Sequence, residues 1–309
     1  MEKDDKNKKM TNPVIIFLIA SMCCILWGSA FPAIKIGYKI FSISPNDTFS
    51  QIVFAGYRFL LAGILTILFG SVMSKKILIP SKENIGMIMK VSIFQTILQY
   101  FCFYVGIAHT AGVKGSIISA LNVSISIILA SLVFHLEKLS KRKIIGSIMG
   151  FLGVVIINLN GNSIESGISF LGEGMLFLSG VAYGFSSNLI KIYNKDENPI
   201  LISGYQFVIG GAVLIVVGYI FGGGIHFSTM SSIYLYSYLG LLSAIAYTGW
   251  AVLLKYNPVS KVSVYGFLTP TCGFILSGIV LGELKQAFNV FSLMALILVS
   301  LGIIIINKK

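Results

Sequence analysis

The eight residues Gly56-Tyr57-Arg58-Phe59-Leu60-Leu61-Ala62-Gly63 return as Gly204-Tyr205-Gln206-Phe207-Val208-Ile209-Gly210-Gly211. Matches continue on either side of this pair in the same order. Trp27-Gly28 and Ile34-Lys35-Ile36 recur as Tyr183-Gly184 and Ile190-Lys191-Ile192. Val113 and Glu137 correspond to Val259 and Glu283 at one offset. The halves close as Leu152-Gly153-Val154-Val155-Ile156-Ile157-Asn158 and Leu301-Gly302-Ile303-Ile304-Ile305-Ile306-Asn307. Chance similarity between apolar strings is the competing explanation. Agreement of order and spacing at four places argues against it, and the chain reads as a duplication.

The composition says where such a duplication lives. Of 309 residues, 56% are hydrophobic and only 11% charged, and the mean hydropathy is +0.89. Soluble domains carry about 25% charged residues. A soluble enzyme, a disordered chain, a coiled coil and a disulfide scaffold are all poor fits. A helical span needs about 20 apolar residues. Apolar runs lie near 14–34, 51–73, 87–107, 113–134, 144–160, 172–190, 199–221, 233–254, 262–281 and 287–306. The expected fold is an all-α membrane protein of ten transmembrane helices. A tail, 1–13, precedes two five-helix repeats, 14–160 and 172–307. Because five is odd, the second copy enters the membrane from the opposite side, as an inverted repeat. Such halves can exchange conformations and open a fixed central site to either side. The run from Val14 is too long for a signal-peptide core and is read as an uncleaved first span.

Loop charge sets orientation. Of the 23 Lys and Arg, 17 fall on the side of the N-terminus, while Lys35, Lys39, Lys114 and Lys285 fall on the other. The expected location is the plasma membrane, with both termini cytoplasmic. The net charge of +12 then faces anionic headgroups rather than nucleic acid. Cys23, Cys24, Cys102 and Cys272 sit inside apolar runs without metal-ligand spacing, and no metal or cofactor is expected. Pro32 and Pro270 fall inside spans, where they free backbone carbonyls.

These residues resemble an EamA-type member of the drug/metabolite transporter superfamily. The resemblance covers about residues 14–307. It rests on Trp27-Gly28-Ser29-Ala30-Phe31, on Tyr57-Arg58-Phe59, on Glu137 and Glu283 ending the fourth and ninth spans, and on Pro270 thirteen residues before Glu283. It implies ten helices, secondary transport and, often, export of amino acids or related metabolites. The first-half counterpart of Pro270 is Ser124, so the matching helix break is expected to be weaker or absent.

Candidate binding residues are the polar and aromatic groups within spans. Arg58 is the sharpest, because ionisable residues in a membrane are functional hypotheses by default. It is either a forked cationic anchor for a substrate carboxylate or an arginine that snorkels to the interface. Its repeat partner is the neutral Gln206. Gln95 and Gln99 lie one turn apart in the third span, as do Tyr247 and Trp250 in the eighth, to within one residue. Asn122 lies in the fourth span and Asn188 near the end of the sixth. Trp27 and Tyr183 are repeat equivalents that either face a cavity from both halves or serve as packing aromatics. For each single polar residue, interhelical hydrogen bonding is the competing explanation. For the set, a midplane cavity holding several of them is the expectation. Gly146-x-x-x-Gly150 and Gly278-x-x-x-Gly282 permit close helix contact, within or between subunits.

No Asp or Glu sits near a span centre. Small multidrug-resistance proteins, distant relatives of the resembled family, use a membrane-embedded glutamate to trade protons for cations. A carboxylate-bearing solute therefore fits better than a hydrophobic cation, although an aromatic cage can hold one. No phosphate-binding loop supports direct ATP drive. Proton coupling or solute exchange both remain open. A membrane-embedded lipid-modifying enzyme would need clustered His, Asp or Glu on one face, and the sequence shows none.

Overall fold

The structure, a computed structural model, describes residues 10–136, 138–158, 169–193, 197–257, 262, 264–284 and 288–307. Their helices are α1 (Pro13–Ile40), α2 (Thr48–Ser74), α3 (Lys82–Ala108), α4 (Gly112–Leu132), α5 (Lys141–Asn158), α6 (Phe170–Tyr193), α7 (Pro199–Ile220), α8 (Met230–Tyr256), α9 (Leu268–Val280) and α10 (Val290–Asn307). Among the described residues, α1 to α4, α6 and α7 are the six long and apolar enough to cross a membrane. The segments Leu268–Val280 and Val290–Gly302 are shorter apolar helices. Large apolar side chains such as Phe17, Leu68, Val72, Phe151 and Ile297 stand exposed on the surface. That is the pattern of a multi-pass protein whose solvent is lipid. Glu137 lies outside the described residues.

Local signals place the helix starts. Asn12 and Asn198 accept from Val14 N and Ile200 N at 2.9 and 3.1 Å, with Pro13 and Pro199 in the first turn. Proline costs nothing there, because the first amides have no intrahelical partner. Asp47 Oδ1 does the same for Ser50 N at 3.0 Å.

Three helices depart from regular winding, α6 through its first turn, the π-helix Phe170–Gly174. Within α3, Ser92–Leu98 is a π-helix. α4 is interrupted at Ala120, whose N–H turns to Ile117 O at 3.1 Å. A weak or missing break was expected from Ser124; the interruption arises without proline. α9 is preceded by a 3-10 turn, Val264–Phe267.

The repeated stretch forms a close seam. α2 packs on α7 so that a Cβ on Gly56 would lie 2.8 Å from Gly211 O, and one on Gly63 2.7 Å from Gly204 O. Glycine at these positions lets two backbones touch. α5 and α10 approach in the same way: a Cβ on Gly302 would lie 2.4 Å from Gly146 O.

Contacts between helix ends sort into two faces. On the face of the α1 N-terminus, Asn257 Nδ2 donates to Met10 O at 2.9 Å and Tyr205 OH to Leu78 O at 3.0 Å. On the opposite face, Gly224 N donates to Ser50 Oγ at 3.0 Å, Lys114 pairs with Glu173, and Phe49 stacks on Phe221. There Glu283 also caps α4. Its carboxylate accepts from Gly112 N and Val113 N at 3.1 and 2.9 Å, a favourable place for negative charge.

Candidate functional site

A cavity of about 250 Å³ lies between α1, α2, α3, α4, α6, α8 and α9. Pro270 lines it, and Pro32 follows the lining residue Phe31 within α1. Of the candidates from sequence, Trp27, Arg58, Gln99, Asn122, Tyr183, Tyr247 and Trp250 line this one space. The Trp27 ring meets Trp250 and Tyr247 edge-on, at 5.1 and 5.3 Å between centroids. Trp27 Nε1 and Gln99 Oε1 have no hydrogen-bond partner among the described residues. Both are buried polar atoms beside the cavity, where a ligand group can complete them.

Gln95 and Gln206 do not line it. A face counted at 3.6 residues per turn does not carry through the π-helical Ser92–Leu98 segment, and Gln95 falls within that segment. Gln206 turns toward α3 instead. Its Oε1 accepts from Thr96 Oγ1, and its backbone oxygen accepts from Ser92 Oγ at 3.0 Å. The two repeat-equivalent positions have thus diverged. The amide braces the π-helix, whereas the guanidinium reaches the cavity.

Arg58 is only 2% exposed, which rules out a side chain snorkelling to water. Nε donates to Ser243 Oγ at 3.0 Å and Nη1 to Tyr104 OH at 2.8 Å, and the guanidinium carbon stands 5.1 Å from the Phe59 ring centroid. These partners are all neutral. Among the described residues the one ion pair is Lys114–Glu173, on the opposite face. Burying a charge without an opposite charge costs several kcal/mol in effective terms. The planar guanidinium fork has the geometry to pair with a carboxylate.

The cavity is closed toward the opposite face and extends toward the other. Tyr38 OH donates to Tyr104 O at 2.8 Å, directly behind Arg58. Beyond it Phe41, Phe54, Tyr236 and Phe227 pack edge-to-face at 4.9 to 5.6 Å. In the other direction the lining continues through Asn188 and Lys191, near the C-terminus of α6, and Ala130 of α4.

The sequence reading missed several groups of this site. Tyr100 lines the cavity and its hydroxyl pairs with that of Tyr247. Tyr104 and Ser243 hold the Arg58 head group. The α3 tyrosines carried a signal, since Tyr100 directly follows Gln99 and Tyr104 lies about one turn beyond it. Ser243 carried none.

Helices around a polar, arginine-bearing cavity suit a membrane protein that handles solutes, and the comparisons with known proteins place the chain among transporter families. The model of the EamA-like transporter family matches twice, over residues 13–159 and 170–308. The chain belongs to that family. It is 27% identical to an uncharacterized transporter of Archaeoglobus fulgidus, over 95% of this chain and 99% of the relative. It is 28% identical to the uncharacterized transporter YyaM of Bacillus subtilis, over 65% of this chain and 66% of that protein. A solved crystal structure shares the fold with a TM-score of 0.65 at 15% identity, covering 94% of this chain and 95% of the other.

Proposed function

We propose that this protein is a secondary transporter that carries a small carboxylate-bearing organic solute, an amino acid or related metabolite, across the plasma membrane, in the direction of export. The observation that carries the reading is Arg58, a buried guanidinium held by neutral partners at the wall of an aromatic cavity. The solute's carboxylate binds Arg58 and its apolar body packs against Trp27, Tyr247 and Trp250. The described lining contains no carboxylate side chain, which favours this reading over a hydrophobic-cation exporter.

The mechanism in this proposal is alternating access by two inverted five-helix repeats. The seam between α2 and α7 supports it. Gly56 and Gly63 are the repeat equivalents of Gly204 and Gly211, and they meet crosswise, Gly56 on Gly211 and Gly63 on Gly204. Crosswise contact of equivalent positions is what a two-fold axis between copies produces. With both termini cytoplasmic, the cavity opens inward and the aromatic layer around Phe54 and Tyr236 shuts the outside. The described lysines support this sidedness, since Lys75, Lys76, Lys138 and Lys141 lie on the face of the α1 N-terminus.

Counterflow in proteoliposomes tests the function. A carrier preloaded with an unlabelled amino acid or simple carboxylate takes up the labelled solute transiently against its gradient. Amino acids are screened first by thermal shift, since a bound solute raises the melting temperature. Absence of counterflow for every solute that binds would reject carriage. For orientation, Lys76 and Lys138 should react with an impermeant amine reagent only from the cytoplasmic side. Labelling in intact cells would reverse the assignment.

A further inference from the structure

Positive charge is scarce on the face opposite the α1 N-terminus, where the described lysines are Lys35, Lys39 and Lys114. Lys114 is accounted for by its ion pair with Glu173. Lys35 and Lys39 stand one turn apart on α1, hence on one side of it. Both line a second cavity of about 410 Å³, together with Tyr38, Ser42, Ser44 and Glu283. Among the described residues neither lysine makes an ion pair. Glu283 is the acid in this lining, and both its oxygens are engaged by the backbone N–H groups of Gly112 and Val113. Its charge is shared between the start of α4 and Lys35, and the cavity holds two ammonium groups against one carboxylate.

The position of this space matters as much as its charge. Its Tyr38 donates from OH to Tyr104 O at 2.8 Å, and Tyr104 OH accepts from Arg58 Nη1 at 2.8 Å. Two tyrosines thus connect the lysine cavity to the guanidinium of the central one.

We propose that the second cavity is an anion-binding vestibule, in which Lys35 and Lys39 hold the carboxylate of a small organic anion one tyrosine layer away from Arg58. It rests on the transport reading for its purpose, as the outer station of the same path. Passage between the stations requires the Tyr38–Tyr104 hydrogen bond to open. Because Lys39 is exposed and Lys35 half-buried, binding there weakens with ionic strength, as attraction to exposed charge is screened within a Debye length of about 8 to 10 Å.

The test uses the full chain in nanodiscs and 4-fluorobenzoate as probe, followed by fluorine NMR line broadening and by calorimetry. The wild type should bind two equivalents, the weaker one salt-sensitive. Lys35→Gln/Lys39→Gln should remove the salt-sensitive equivalent or weaken it at least about tenfold. Arg58→Gln should remove the other. Lys114→Gln, on the same face but paired with Glu173, should keep both and serves as the control for net charge. A single equivalent lost on Arg58→Gln, or two equivalents untouched by the double lysine change, overturns the vestibule. The outcomes separate from those of the transport reading. Two-site binding without counterflow upholds the vestibule and rejects carriage, whereas counterflow with one-site binding does the reverse.

Discussion

Arg58→Gln is expected to weaken binding and transport of a carboxylate-bearing solute by about 10- to 100-fold, the loss of a hydrogen-bonded charge worth about 1.5–3 kcal/mol. Arg58→Lys should recover little of this. An ammonium cannot donate at once to Ser243 Oγ, Tyr104 OH and a bidentate carboxylate, as the planar fork can; the first two contacts are already in place at 3.0 and 2.8 Å. The empty protein should not lose stability in proportion, because glutamine removes a buried cation whose described partners are neutral. Trp27 and Trp250 are the two tryptophans of the chain, and both line the cavity. Their fluorescence therefore reads occupancy directly. The expected result is a saturable change with the wild type and its displacement to much higher solute concentration in Arg58→Gln, at an unchanged melting temperature. An equal response from both proteins would remove Arg58 from the site.

The second large effect concerns the seam that carries Arg58. Gly211→Val should destabilise the protein by about 1–3 kcal/mol or more, the usual cost of forcing extra atoms into a packed contact. A Cβ at Gly211 would fall 2.5 Å from Leu60 N and 2.7 Å from Gly56 O. These are backbone atoms, so no rotamer change relieves the clash, and α2 must move away from α7. Arg58 lies two residues from Gly56 and would move with it, so solute binding should fall as well. Gly86→Ala is the control. Nothing lies within 4 Å of a Cβ there, and alanine is the better helix former by about 1 kcal/mol. Thermal melting monitored by size-exclusion fluorescence should show a fall for Gly211→Val and none for Gly86→Ala.

Much of the site was legible because a membrane makes polar side chains conspicuous. Arg58, Asn122, Gln99, Trp27 and Trp250 stand out from apolar runs, and they converge on one cavity. Gln206 stood out for the same reason but braces α3 through Thr96. A buried amide satisfied by a neighbouring helix and one facing a cavity look alike in sequence. Gln95 lies off the cavity lining for a different reason: it falls within the π-helix Ser92–Leu98, which shifts a regularly counted face and has no residue signature. Ser243 was invisible, because serine is common in apolar helices and its partner is 185 residues away.

The amino-acid sequence by itself determined that the chain is helical and membrane-embedded, that stretches of it recur in the same order, and that one arginine lies where a charge is expensive. Each of these follows from composition, period or recurrence, which are properties of the string. The tertiary structure alone decided which polar groups share a space, that Arg58 meets neutral partners, that Glu283 caps the start of α4, and that Lys35 and Lys39 border a cavity. These depend on which helix faces which. In a chain with so few charges, that choice rests on glycine-sized steric fits between distant segments, and no local pattern encodes it.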